Sequence, residues 1–198
     1  MKLTTKPLTK KTWKDFENLF GNRGACGGCW CMAWRLKPSE FNKNKGEGNK
    51  KEMKRLVEKG EQIGIIGYID KEPVGWCAVA PRKNFIRLEN SRVLAPLDSE
   101  PVWSISCFFI AKPYRRKGLS TELLKEVIKF CCKLNKTKSH SSGEKIKALE
   151  GYPIVPYNTN IPAAFAWTGI PSAFEKAGFK EVTRRSKTRP IMRYQIKN

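Results

Sequence analysis

The stretch from Pro101 to Leu134 constrains the fold more than any other part of the chain. Val102 to Ala111 is a near-continuous apolar run bounded by Pro101 and Pro113, as expected of a buried central strand. A basic turn follows, and Leu119, Leu123, Leu124, Val127, Ile128 and Cys131 then repeat at intervals of three and four. That spacing gives Gly118 to Leu134 a broad apolar helical face for packing on a sheet.

The remaining elements are read around this core. Trp13, Phe16, Leu19 and Phe20 fall at helical spacing behind Thr12, a possible cap, and stop near Gly21. Met53, Leu56 and Val57 mark a second helix over Glu47 to Lys59, ended by Gly60. Gln62 to Ile69 and Pro73 to Ala80 are β-rich runs joined by Asp70-Lys71-Glu72, which predicts an antiparallel hairpin. Pro81 to Asp98 is irregular, Lys136 to Lys145 a loop, and Ala148 to Val155 a further strand. A short helix over Ser172 to Ala177, stopped by Gly178, and a final strand over Ile191 to Ile196 complete the order. At 198 residues with 40% hydrophobic content, the chain is expected to form one domain, 1–61 holding helices and a cysteine-rich loop and 62–198 the sheet. The start carries no apolar segment of the kind that directs secretion, and no stretch is long enough to span a membrane. Seven cysteines are an odd number for a disulfide framework, so reduced thiols and a cytoplasmic location are expected, with no membrane partner.

The net charge of +21 raises the question of nucleic acid. The lysines are spread over Lys6 to Lys14, Lys43 to Lys54 and Lys133 to Lys147, in polar stretches typical of solvated faces. The expectation is a Lys-rich surface with non-specific anion affinity and no specific nucleic-acid partner. The run Thr183 to Pro190 reads as a nucleic-acid contact, as a basic turn in the last hairpin, or as charge that helps attract an anionic cofactor.

Between the central strand and its helix, Lys112-Pro113-Tyr114-Arg115-Arg116-Lys117-Gly118-Leu119-Ser120-Thr121 has the composition of an anion cradle. A helix N-terminus offers unsatisfied N–H groups and a positive dipole end, Gly118 permits close approach, and Arg115, Arg116 and Lys117 add charge suited to a pyrophosphate. Arg115-x-x-Gly118-x-Ser120 at this junction resembles the (Arg/Gln)-x-x-Gly-x-(Gly/Ala) signature of the GNAT superfamily of acetyl-CoA-dependent N-acetyltransferases. The ending Ser172-Ala173-Phe174-Glu175-Lys176-Ala177-Gly178-Phe179 is similar to that family's helix-Gly-Phe-strand close. The resemblance covers roughly 62–196. It implies an α/β (α+β) fold with a mixed, mostly antiparallel central sheet flanked by helices. It also implies acetyl-CoA as cosubstrate with no metal, an amine acceptor, and a homodimer. The pantetheine arm would run along Phe109, Ile110 and Ala111, and the diphosphate would lie against Arg115, Arg116, Lys117, Gly118, Leu119, Ser120 and Thr121.

The sequence departs from the family at the catalytic groups. Cys107 stands where an acidic residue is usual, Phe174 where a tyrosine is usual, and the usual Asn at the start of the last helix is absent near Trp167 and Thr168. Acetyl transfer needs a base for the ammonium and an acid for the leaving thiolate. Glu150 is the candidate base and Tyr152 the candidate acid, weighed against a surface carboxylate and a packed ring. Cys107 is a candidate acetyl acceptor should the reaction pass through a covalent intermediate rather than direct attack. A catalytically inactive CoA-binding or basic nucleic-acid-binding module on the same fold is the alternative to the enzyme.

Cys26-Gly27-Gly28-Cys29-Trp30-Cys31-Met32-Ala33-Trp34 is the most distinctive local sequence. Zinc would need a fourth ligand, and neither a second cysteine pair nor the lone His140 offers one. A Cys26/Cys29 redox pair lacks the strand-helix context such pairs use. The preferred reading is a substrate-side wall made by Cys29, Trp30, Cys31 and Trp34, weighed against plain core packing.

Overall fold

A computed structural model describes residues 2–137, 145–156, 161–162 and 164–196. Its elements are β1 (Thr4–Pro7), α1 (Trp13–Phe20), α2 (Pro38–Lys43), α3 (Glu47–Glu58), β2 (Gly64–Ile69), β3 (Glu72–Pro81), α4 (Ile86–Glu89), β4 (Val102–Ile110), α5 (Leu119–Thr137), β5 (Ala148–Gly151), α6 (Pro171–Lys176), β6 (Lys180–Arg184) and β7 (Pro190–Gln195). One seven-stranded sheet runs in the order β1-β2-β3-β4-β5-β7-β6. Every neighbouring pair is antiparallel except β4 and β5. The mixed, mostly antiparallel sheet flanked by helices is the fold expected from the sequence.

The β2-β3 hairpin closes through Asp70 and Lys71 alone, both at positive φ (50° and 69°), the backbone a two-residue turn needs to match strand twist. One face of the sheet carries α5 and α6. Leu123, Leu124, Val127 and Cys131 are buried against Ile65, Val79, Ile105 and Leu149. Each such leucine removed from water contributes about 1.5–3 kcal/mol. The opposite face carries α1 and α3, with the Phe16 ring 4.9 Å from that of Trp76 in edge-on contact, and Met53, Leu56 and Val57 behind it. Thr12 precedes α1 as expected, yet its hydroxyl does not cap the helix. It donates to Pro7 O at 2.8 Å and accepts from Thr9 N–H at 2.9 Å, tying β1 to α1. No helix among the described residues is long and apolar enough to cross a membrane.

The basic run at Thr183 to Pro190 is the end of the β6-β7 hairpin. Arg185 donates across it to Ala95 O at 2.6 Å, so this guanidinium is engaged with the chain's own loop. Under β5, Phe174 lies edge-on to Phe108 and Phe179, and a Cβ on Gly151 would collide with its ring. Gly151→Ala should therefore lower stability by about 1–3 kcal/mol through overpacking. Urea denaturation should show the loss as a lower midpoint at unchanged slope.

Candidate active site

The site begins where the parallel ladder ends. β4 and β5 pair from Val102↔Ala148 to Ile105↔Gly151 and then part. At the same level the β3-β4 register jumps from Ala78↔Cys107 to Val79↔Ile105, which leaves Ser106 as the extra residue of a bulge. Beyond the bulge, Ala111 N–H is bonded to Val74 O on the β3 side, so strand alternation turns the backbone groups of Phe108 and Ile110 toward the split. Arg115 Nε reaches back to Ile110 O at 2.8 Å. A segment from Trp167 to Gly169 enters the split as a wedge: Phe108 N–H donates to Trp167 O at 2.6 Å, and Ile154 N–H, beyond β5, donates to Gly169 O at 3.0 Å. Arg189 fastens the wedge by donating to Thr168 Oγ1 at 2.9 Å.

The turn from β4 into α5 has two left-handed residues, Arg116 (φ 60°) and Gly118 (φ 77°). Helical bonding starts only at Thr121 N–H and Glu122 N–H, both onto Gly118 O. Among the described residues, no backbone acceptor takes the amides of Arg116, Lys117, Gly118, Leu119 or Ser120. A Cβ on Gly118 would meet nothing within 4 Å, so its surroundings are open to a ligand. Five free donors at the positive end of a 19-residue helix, with Arg116 and Lys117 beside them, are a donor set that fits a diphosphate. Leu119 itself is turned inward, packed with Ile69 and Val74. Thr121 Oγ1 lies 3.5 Å from Ala173 O on α6.

Glu150 and Tyr152 stand at the end of β5, where the sequence puts them, but each is only 1% exposed. Glu150 Oε1 accepts from Arg193 Nη2 at 2.7 Å and from Nε at 3.0 Å, and its Oε2 accepts from the Tyr152 hydroxyl at 3.0 Å. The same hydroxyl accepts from Arg82 Nη1 at 2.8 Å and lies 2.8 Å from Ser104 Oγ. Burial, then the charge of Glu150, pushes the Tyr152 phenol well above its ordinary range. Burial works against the charge of Arg193, but its bonds to Asp98 and Glu150 more than offset this. The surface carboxylate considered from the sequence is not what the structure has, since Glu150 is buried, whereas Tyr152 is packed in a core cluster. The carboxylate and the phenol are each bonded to partners inside the protein. Arg82, absent from the sequence-derived candidates, ties Tyr152 to the nearby loop, donating also to Leu88 O at 2.9 Å and Leu94 O at 2.7 Å.

The cysteine-rich segment divides. Cys26 is exposed, while Cys29 and Trp34 are half-buried. The Trp34 ring lies 5.8 Å from that of Trp167, above the wedge. Trp30 and Cys31 are 4% and 5% exposed, with the Trp30 ring stacked on Phe20, so for these two the expected wall is core instead. The cause is α1, whose apolar face draws the turn inward. Cys107, at the bulge, is buried in the same cluster. Among the described residues no three His, Cys, Asp or Glu side chains gather as a metal site requires. His140 lies outside the described residues.

Residues 30–140 match the sequence profile of the acetyltransferase (GNAT) family. No curated protein matches the chain by sequence. Among solved structures, the aminoglycoside acetyltransferase AAC(6')-Ib in complex with coenzyme A and kanamycin is 16% identical, with a TM-score of 0.52 over 98% of this chain and 95% of that one. A GNAT-family acetyltransferase from Streptococcus agalactiae is 13% identical, with a TM-score of 0.54 over 99% and 96%. The PaiA N-acetyltransferase of Thermoplasma acidophilum in complex with coenzyme A is 14% identical, with a TM-score of 0.52 over 98% and 99%. At these identities the likeness is one of fold.

Proposed function

The chain belongs to the acetyltransferase (GNAT) family, and from that premise we propose that it transfers the acetyl group of acetyl-CoA to a primary amine by direct attack of the amine on the thioester. The observation that carries this reading is the split between β4 and β5 with the unpaired amides at the start of α5 beside it. Acetyl-CoA brings an electrophilic thioester carbonyl with a thiolate leaving group. The chain's part is to hold it, polarise it and manage protons.

In this reading the amides of Arg116 to Ser120 bind the diphosphate, with Arg116 and Lys117 adding charge around them. Arg115 acts differently: by occupying Ile110 O it stiffens the turn, and it leaves Ile110 N–H as a donor in the split. Phe109, Ile110 and Ala111 form the wall along which the pantetheine arm lies. Trp34 and Trp167, above the wedge, face the acceptor side, and Glu150 and Tyr152 hold the strand ends as framework. Amine acceptance is supported by the fold shared with an aminoglycoside acetyltransferase captured with kanamycin.

Calorimetric titration of the reduced protein with acetyl-CoA should show saturable micromolar binding of about one molecule per chain. Adding an amine panel should then release the coenzyme A thiol. No binding overturns the proposal, and binding without turnover on any amine turns it to a CoA-binding module.

A further inference from the structure

Positive charge is placed on this molecule in two ways. On the outer helix faces lysines stand beside carboxylates: Lys14 pairs with Glu17, Lys125 with Glu122 and Lys129 with Glu126. The cations set against the Trp34 and Trp167 rings are arginines, and they have no such partners. Arg87 lies over Trp34, its guanidinium carbon 5.5 Å from the ring centre, and donates to Ala33 O at 3.0 Å. Arg189, half-buried, donates at 2.9 Å to Oγ1 of Thr168, the residue after Trp167. Neither has a carboxylate at ion-pairing distance among the described residues. The nearby carboxylates of α4 and β5 are already engaged, Glu89 with Arg82 and Glu150 with Arg193.

Arg35 is the sharper case. It is 5% exposed, and its guanidinium carbon lies 4.7 Å from the ring centre of Phe85, a member of the cluster on which Trp34 packs. Its Nε and Nη2 meet no acceptor, and the indole N–H of Trp34, one residue before, is buried without one as well. Burial pulls the guanidinium below its ordinary range, and the opposing influence of Cys31 and Glu61 does not restore it. A buried cation calls for a counter-charge, and no carboxylate of the described residues pairs with this one. These arginines also border the split. The Trp34 and Trp167 rings are 5.8 Å apart, and Trp167 O is bonded to the Phe108 N–H of β4 at 2.6 Å.

We propose that the acceptor is a small amine that also carries an anionic oxygen group, a carboxylate or a phosphate, received by Arg87 and Arg189 beside the Trp34 and Trp167 rings and over the fixed charge of Arg35. The inference rests on the split being the acetyl-CoA slot and names the class of acceptor that reaches it. Guanidinium groups bind either oxyanion through charge-assisted N–H bonds. The two indole rings give the carbon frame between amine and anion an apolar flank. A polycation such as kanamycin would enter against unbalanced charge of its own sign, whereas an anionic group is drawn in. The same charges disfavour an ammonium beside them, so the bound amine gives its proton to water more readily and attacks as the neutral nucleophile.

The test follows coenzyme A thiol release by the wild-type protein on matched amines that differ only in the anion. The pairs are α-amino acids, β-alanine and γ-aminobutyrate against their carboxamides, and phosphoethanolamine against ethanolamine, with kanamycin as the polycation. In at least one pair the anionic member should have a kcat/KM about tenfold to a hundredfold higher, the span of hydrogen bonds to a charged group, and kanamycin should not be acetylated. The pair that responds tells carboxylate from phosphate. Arg87→Gln changes an exposed side chain and should lower that ratio severalfold. Arg35→Met removes the unpartnered charge and should bring the ratio toward parity. A merely structural role would slow both members of a pair alike and leave the ratio in place. Neutral members equal or faster throughout, kanamycin acetylated ahead of them, or a ratio unchanged in both variants overturns the proposal. So does a wild type that binds acetyl-CoA by calorimetry yet acetylates no member of the panel. Failure to bind acetyl-CoA overturns instead the reading on which the proposal rests.

Discussion

Gly118→Asp is expected to weaken acetyl-CoA binding by about thirtyfold to a hundredfold, a large loss of affinity for one substitution in this site. Two costs combine. Gly118 is at φ 77°, where a residue with a Cβ loses about 1–2 kcal/mol. A carboxylate at the mouth of the amide cluster also repels the diphosphate by about 1 kcal/mol even in water. Their sum of about 2–3 kcal/mol is tenfold in affinity for every 1.4 kcal/mol. Gly118→Ala separates them: it carries the backbone cost alone, since nothing lies within 4 Å of the added Cβ. Calorimetry on both variants reads the difference, and an aspartate variant that binds like wild type would remove this turn from the cofactor site.

The second large effect concerns stability. Glu150→Ala leaves Arg193 without its buried carboxylate, and the Tyr152 hydroxyl and Arg82 without the neighbour on which they converge. Breaking a buried pair by removing one partner costs about 3–5 kcal/mol. Asp98, which accepts from Arg193 Nη1 at 2.6 Å, retains part of the charge balance, so the lower end is expected. Chemical denaturation measures it. Turnover per folded molecule should stay near wild type in Tyr152→Phe, which keeps the ring packing and loses only the hydroxyl; a collapse there would return Tyr152 to the chemistry.

What the sequence discloses depends on whether the signal is local. The helices α1, α3 and α5 and the strands β2, β3 and β4 were legible because each carries its own apolar period or run. The strand β1, Thr4-Thr5-Lys6-Pro7, was not: it is polar, ends in proline, and is a strand only because β2 offers it an edge. The turn from β4 into α5 was legible for the same reason as the helices, since a strand, a glycine and a helix start lie within a few residues. The Glu150 environment was not, because Arg82, Ser104 and Arg193 converge from separate stretches of the chain. Nor does any pattern mark Trp167 to Gly169 as backbone that bonds β4 and the segment after β5, or show that the turn at Trp30 and Cys31 points inward.

That wedge has a consequence for how the molecule keeps company with itself. Two strands that part company expose rows of unpaired backbone, the template on which a foreign strand adds and polymers grow. By pairing Phe108 on one side and Ile154 on the other, the wedge closes the inner reach of the fork and leaves only the outer reach, near Ile110, available. A ligand that lies along Ile110 then does double duty, completing a sheet edge that would otherwise invite a neighbour. Crowded solutions of the ligand-free protein are the condition in which that difference would be felt.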